Sequence, residues 1–332
     1  MVNINVQKTF YIILCIITVL LPLNSIQAEV LTPISGNSID IESIVPADVL
    51  ARAKLLSDEV NLIRLELGKP EVLTKAETVI DASPREVYFQ AQTAFIKANR
   101  LVYERTGQRS TVPSEIDITT IQPFHVWQMV NQAYEQILLV KNKLKINQQE
   151  IEKPQPIYTS PSDVFAHVVS VNGQINALLN QQFSPSDVYQ KVNESIHIMA
   201  ALLATEPSVK RIPLASSFER RKTPTDVYQY LIETRVILAK IMANYDIHFA
   251  HIQNDNTRTR TRAPSDVYDL ASLLVANLHY VHSLKLAVKP PAKTYPSVNK
   301  IPSDVYQRLS ILHQQLLLFQ KLHEHSPNWL NK

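Results

Sequence analysis

Histidine is the residue type most able to do chemistry in this chain, and it is unevenly placed: eight of the ten lie after residue 190. His248 with His251, and His279 with His282, are three residues apart. On a helix that spacing turns two imidazoles to one side, an arrangement that suits zinc or copper. His323 and His325 follow near the end of the chain. If the helices run parallel, His248, His251, His282, His323 and His325 gather toward one end; in an up-down order they scatter. No carboxylate or cysteine accompanies these histidines at ligand spacing. A metal site at His248, His251, His279, His282 and His323 is therefore the sharper reading, and ordinary surface histidine the plainer one.

A second set is aromatic. Tyr88, Trp127, Phe165, Tyr189, Tyr228, Tyr268 and Tyr306 all follow a recurring Pro-x-x-Val by one residue, with Leu50 the exception. A ring of aromatics at one end of a bundle would make a pocket or a partner surface. The plainer role is packing, each ring covering the core with its hydroxyl at the wet end.

The signature that carries these rings reads SPSDVYQ at 184–190, with SPREVYF, TPTDVYQ, APSDVYD and IPSDVYQ elsewhere. Its chemistry is that of a helix start. Ser184 can cap free backbone N–H groups, Pro185 suits the first helical position, and Asp187 reaches back to the cap's own N–H. Ser83–Glu86, Ser160–Asp163 and Thr223–Asp226 follow the same scheme. Ala263 and Ile301 offer no cap oxygen, so Ser265 and Ser303 are expected to substitute.

The elements behind these residues are helices. Counting from Pro46, Pro84, Pro123, Pro161, Pro185, Pro224, Pro264 and Pro302, position +3 is always Val. Positions +3, +7, +10, +14 and +17 are apolar in 38 of 40 cases, the exceptions being Ser195 and Thr234. That rhythm is one face of an α-helix. The fold class expected is all-α: eight amphipathic helices in a duplicated block of four, with long proline-containing connectors. Proline in the connectors excludes a hidden second helix and so argues against helix-pair repeats. A connector of about 15 extended residues reaches roughly 50 Å, against about 33 Å for a 22-residue helix. Each connector can therefore run back along the bundle, except the short join from Asn180 to Pro185.

The boundaries that follow are 1–28, 29–45, 46–182, 183–325 and 326–332. The first has the order of a secretory signal peptide: Lys8, an apolar run from Phe10 to Leu21, then Ala28 before Glu29. An N-terminal extension, the two helical blocks and a C-terminal tail complete the chain. The single cysteine, Cys15, falls within the apolar run, so the processed chain would hold no disulfide. The apolar run is short for a membrane span, and no span is expected in the mature chain.

Four glycines in 332 residues argue against hairpin sheets and phosphate-cradling loops, and a net charge of +3 gives no case for nucleic acid. Two basic stretches, ERRK at 219–222 and RTRTRA at 258–263, precede motif prolines; solvated loop charge or an anionic surface would explain them. No catalytic motif and no cofactor fingerprint is present. The expected function is an exported, periplasmic or secreted, non-enzymatic scaffold or accessory subunit of a cell-envelope assembly, with an envelope protein as partner. The alternative is a ligand-binding or sensory bundle taking a small molecule or metal.

Overall fold

The computed structural model describes residues 44–71, 78–111, 113–114, 116–147, 158–206, 209–253, 261–286, 288–324 and 329–331. The signal-peptide reading and most of the N-terminal extension lie outside them. Eight α-helices are present among the described residues: α1 Pro46–Glu66, α2 Pro84–Thr106, α3 Pro123–Lys143, α4 Pro161–Leu178, α5 Pro185–Leu202, α6 Pro224–Ala243, α7 Pro264–Leu284 and α8 Pro302–His323. Two-residue strands β1 (Val79–Ile80) and β2 (His251–Ile252) lie in connectors. The fold is all-α, and none of these helices is long and apolar enough to cross a membrane.

Each helix begins at its motif proline, and every one of the 40 stripe positions is at most 2% exposed. The two polar exceptions satisfy themselves on the helix: Ser195 Oγ donates to the Lys191 carbonyl at 3.1 Å and Thr234 Oγ1 to the Tyr230 carbonyl at 2.7 Å.

Helices α1 and α2 both pack on α3 and α4, while α5 and α6 both pack on α7 and α8. Consecutive helices thus sit on diagonals in each pair, α1 across from α2 and α5 across from α6. Pro46, Pro84, Pro123 and Pro161 close around one dimple with their +3 valines, as do Pro185, Pro224, Pro264 and Pro302. All four helix starts of each block therefore meet at one end. Both blocks are parallel bundles.

Parallel order requires connectors that return, and they do. Along the α5–α6 connector, Arg211, Leu214 and Ser216 offer carbonyls to Gln315, Gln314 and Gln307 of α8. Rising numbers in the connector meet falling numbers in α8, so the segment runs back against the helix.

The blocks are joined through α2 and α7, which run antiparallel. Arg85 lies 3.7 Å from the centre of the Tyr280 ring, whereas Lys97, one end further on, bonds Asp269 at 2.7 Å. Lys97 is fully buried and also donates to the Asn172 carbonyl. Strand β1 pairs with β2 antiparallel, and buried Glu86 accepts the Ala250 N–H at 2.6 Å. Trp329, assigned to the tail by its position in the chain, is instead core: it is 3% exposed and packs edge-on against Phe319 at 4.8 Å.

Candidate functional site

The repeated signature places each candidate aromatic one turn into a helix start. In all eight starts, the third helical residue accepts the backbone N–H of the cap residue, at 2.7–3.0 Å. Seven acceptors are Asp or Glu, and in α3 it is His125 Nδ1. The hydroxyl bonds from Ser160 and Thr223 hold the Asp163 and Asp226 carboxyls below their usual range. Ser265 and Ser303 do not cap α7 and α8, contrary to the expectation from sequence. Both are buried, and Ser303 Oγ instead accepts the N–H of Lys222 at 3.1 Å.

That bond belongs to a ring of clasps. In the second block, the residue two before each motif proline lies on the aromatic of a neighbouring helix. Lys300 sits 4.8 Å from the Tyr189 ring centre, Lys222 4.0 Å from Tyr306, and Arg262 4.0 Å from Tyr228. Phe183 stacks on Tyr268 at 4.1 Å. The links run α5 to α7, α7 to α6, α6 to α8 and α8 to α5, closing the circle. Backbone N–H groups of Lys300 and Arg262 bond Ser186 and Thr225 at 3.0 Å in the same way as Lys222 bonds Ser303. In the first block Ala82 N–H bonds Ser162 at 3.1 Å, Phe165 is core at 1% exposure, and half-buried Trp127 lies 5.7 Å from Arg52.

The histidines do not converge. Helix α6 ends at Ala243, so His248 and His251 lie in the connector and β2, and the helical spacing assumed for them does not apply. His248 Nε2 is 3.4 Å from Asp246, and His282 Nε2 is 3.0 Å from the Lys289 carbonyl. His323 is buried against Phe319 and Trp329, with ring centres 4.3 and 4.8 Å away. Burial first, and then the Lys285 ammonium, push its pKa down to about 4. Among the described residues no group of three or more His, Cys, Asp or Glu is placed to hold a metal. His325 and residues 258–260 of the second basic stretch lie outside the described residues. In the first stretch Lys222 pairs with Glu219 at 2.8 Å.

Three of the sequence candidates do meet. Tyr88, Tyr268 and His279 line a cleft of about 590 Å³ between the blocks. Its polar wall is Lys191, Glu194 and His279, on α5 and α7. Lys191 Nζ donates to Glu194 Oε2 at 2.9 Å, and His279 Nε2 lies 3.4 Å from Glu194 Oε1. Burial alone pushes the Glu194 carboxyl up, but the His279 and Lys191 contacts outweigh it and hold it at about 2. Burial likewise pushes the Lys191 ammonium down, and Glu194 and Tyr268 more than restore it. Burial pushes both tyrosine hydroxyls, Tyr88 and Tyr268, up. The rest of the lining is mixed: Phe89 and Ile96 on α2, Ile116 and Ile118 in the α2–α3 connector, and Val275 and Ala276 on α7 are apolar, with Gln92, Thr93, Asp117 and Ser272 among them. Lys191 and Glu194 escaped the sequence reading. Their only signal is a charge pair three apart on one helix, which is commonplace on a solvated face.

No protein-family model, curated protein or solved structure matches this chain.

Proposed function

We propose that the protein is an exported, non-enzymatic scaffold or accessory subunit of the cell envelope, presenting a protein-binding face on its second block. What supports this reading is where the signature residues go. The acids bond the cap N–H of their own helix and most of the aromatics pack or are clasped at the bundle ends, so the repeat reads as a construction device. Partner contact then falls to the connectors. The Arg211 carbonyl bonds Gln315 of α8 and the Ala292 carbonyl bonds His197 of α5, which puts two of the second block's three connectors, α5–α6 and α7–α8, on the α5–α8 side. Among exposed charged residues such as Lys210, Arg220 and Lys293 they also expose large apolar side chains: Leu214 is 77%, Tyr295 80% and Val298 73% exposed. Exposed large apolar side chains on one side of a protein are the kind of surface that partners cover.

The test combines address and contact. N-terminal sequencing of the envelope-fraction protein should find Glu29; finding Met1 on a cytosolic protein removes the exported reading. A crosslinked envelope partner captured by wild type should be lost with the triple change Leu214→Ser, Tyr295→Ser, Val298→Ser, while circular dichroism stays unchanged. Capture that survives the triple change shows that the face is wrong.

The second reading is a ligand-binding module, and the cleft between the blocks favours it. Its size is within the range of about 300–1,000 Å³ usual for small-molecule sites, with a partly apolar lining and a few converging polar groups.

A further inference from the structure

We propose that the cleft between the two blocks takes a small amphipathic zwitterion, an α-amino acid or dipeptide with an apolar side chain. This rests on the ligand-binding reading of the same cleft. One wall holds a fixed cation and a fixed anion side by side, with Lys191 Nζ 2.9 Å from Glu194 Oε2. Neither group is saturated. An ammonium has three N–H donors and Lys191 gives one to Glu194, while a carboxylate has about four acceptor positions and Glu194 uses two. Both side chains remain partly exposed, at 26% and 30%.

The charge pattern selects the ligand. A lone carboxylate drawn to Lys191 also meets Glu194 and the exposed Asp117 on the rim. A lone amine drawn to Glu194 meets the Lys191 ammonium. A zwitterion sets each charge against its opposite, so both Coulomb contacts are favourable together. Phe89, Ile96, Ile116 and Ile118 of the first block give the cleft an apolar portion, beside Gln92 and Thr93, that suits an aliphatic or aromatic side chain. Recognition of this kind bridges the blocks, since the polar wall comes from the second and this apolar portion from the first.

The probes are L-leucine, L-phenylalanine and Leu-Leu, set against N-acetyl-leucine, which keeps only the carboxylate, and leucinamide, which keeps only the amine. Calorimetry on the full chain should show the zwitterions binding at least about tenfold tighter than either single-charge analogue. Lys191→Met and Glu194→Gln should each remove that preference. Ile118→Gln alters the apolar portion without touching the ion pair, and should weaken all apolar ligands alike; it serves if an ion-pair variant fails to fold. If a single-charge analogue binds as well as the zwitterion and Lys191→Met abolishes it, the cleft is a site but the ligand class is wrong. If binding ignores all three variants, the site lies elsewhere. If none of the probes binds, the zwitterion proposal is overturned; the ligand-binding reading falls with it only if a mixed library of small envelope metabolites also leaves the melting temperature of the full chain unmoved.

Discussion

The two bundles share one plan but fill it differently. The stripe of the first block carries Ala53, Ala91, Ala94, Ala98 and Ala133, whereas that of the second carries only Ala271. Small residues let backbones approach, and α2, which holds three of these alanines, packs most extensively on α3. The clasp position differs as well. In the second block it is Phe183, Lys222, Arg262 and Lys300; in the first, Ile44, Ala82, Ile121 and Thr159. Ile44 and Ala82 are buried there. One block thus closes its end with cations over rings, the other with apolar contact, around the same capped prolines. The helix start is the fixed part of the plan, and the means of tying neighbouring starts together is free to vary.

The largest effect should come from charging a stripe. Ile137 in the first block and Leu316 in the second are fully buried. Changing either to Asp strands a charge in the core and should cost about 4 kcal/mol or more. Because buried contacts join the blocks, each change should lower the whole unfolding transition seen by circular dichroism. A native-like transition of half amplitude would instead show that the blocks fold independently.

Next comes the join itself. Asp269→Asn leaves Lys97 fully buried without a counter-charge, at a cost of about 3 kcal/mol. Adding Lys97→Met should recover most of the loss, as measured by urea denaturation. A double variant as unstable as Asp269→Asn alone would mean that the pair is incidental to the join.

Acid should weaken the second block in particular. His323 has a pKa of about 4 in the folded state, below its unfolded value of about 6.5. Between those values the unfolded chain binds the proton and the native chain does not, so stability rises with pH there. The contribution is full above about pH 6.5 and lost as pH falls toward 4, amounting to about 3 kcal/mol. Melting temperatures from pH 4 to 8 should show this slope in wild type and a flatter one in His323→Leu. Equal slopes would place the acid sensitivity elsewhere.

Much of this was legible in the sequence, because each stripe position obeys one period and local caps involve residues three apart. The acids at the helix starts were legible for the same reason. The cleft and the join were not. Lys97, Asp269, Lys191 and Glu194 read as solvated helix faces, and only the second block's placement against the first gives them neighbours. Glu86 was legible as a capping acid, yet its second contact, the Ala250 N–H, comes from a connector 164 residues away. His248 and His251 misled because their spacing was judged on a helix that had already ended.

The caps allow a smaller test across the blocks. Asp187→Ala should cost about 1 kcal/mol. In the first block His125 fills the same role on α3 with a ring nitrogen, giving no negative charge to the helix dipole. Replacing it by Asp should therefore stabilise by about 0.5 kcal/mol in thermal melts above pH 6. A destabilised His125→Asp would mean that the ring itself, 5.8 Å from Phe124, matters more than the cap.

The smallest effect decides whether the cation clasps are interactions or only neighbours. Arg262 lies over Tyr228, which is 4% exposed, while its backbone N–H is held separately by Thr225. Arg262→Met keeps most of the stem and the backbone bond and removes the guanidinium, at a cost of about 0.5–1 kcal/mol. Tyr228→Leu keeps apolar bulk but removes the ring face beneath the cation. If charge and ring attract, the double variant should be less destabilised than the sum of the two, by about 0.5 kcal/mol in a double-mutant cycle. Arg52 and Trp127 in the first block, at the longer 5.7 Å, should couple less. Strict additivity at Arg262 and Tyr228 would mean that the cation merely lies over the ring. The two blocks would then be closed by the same apolar packing, and their difference at the clasp position would carry no energy.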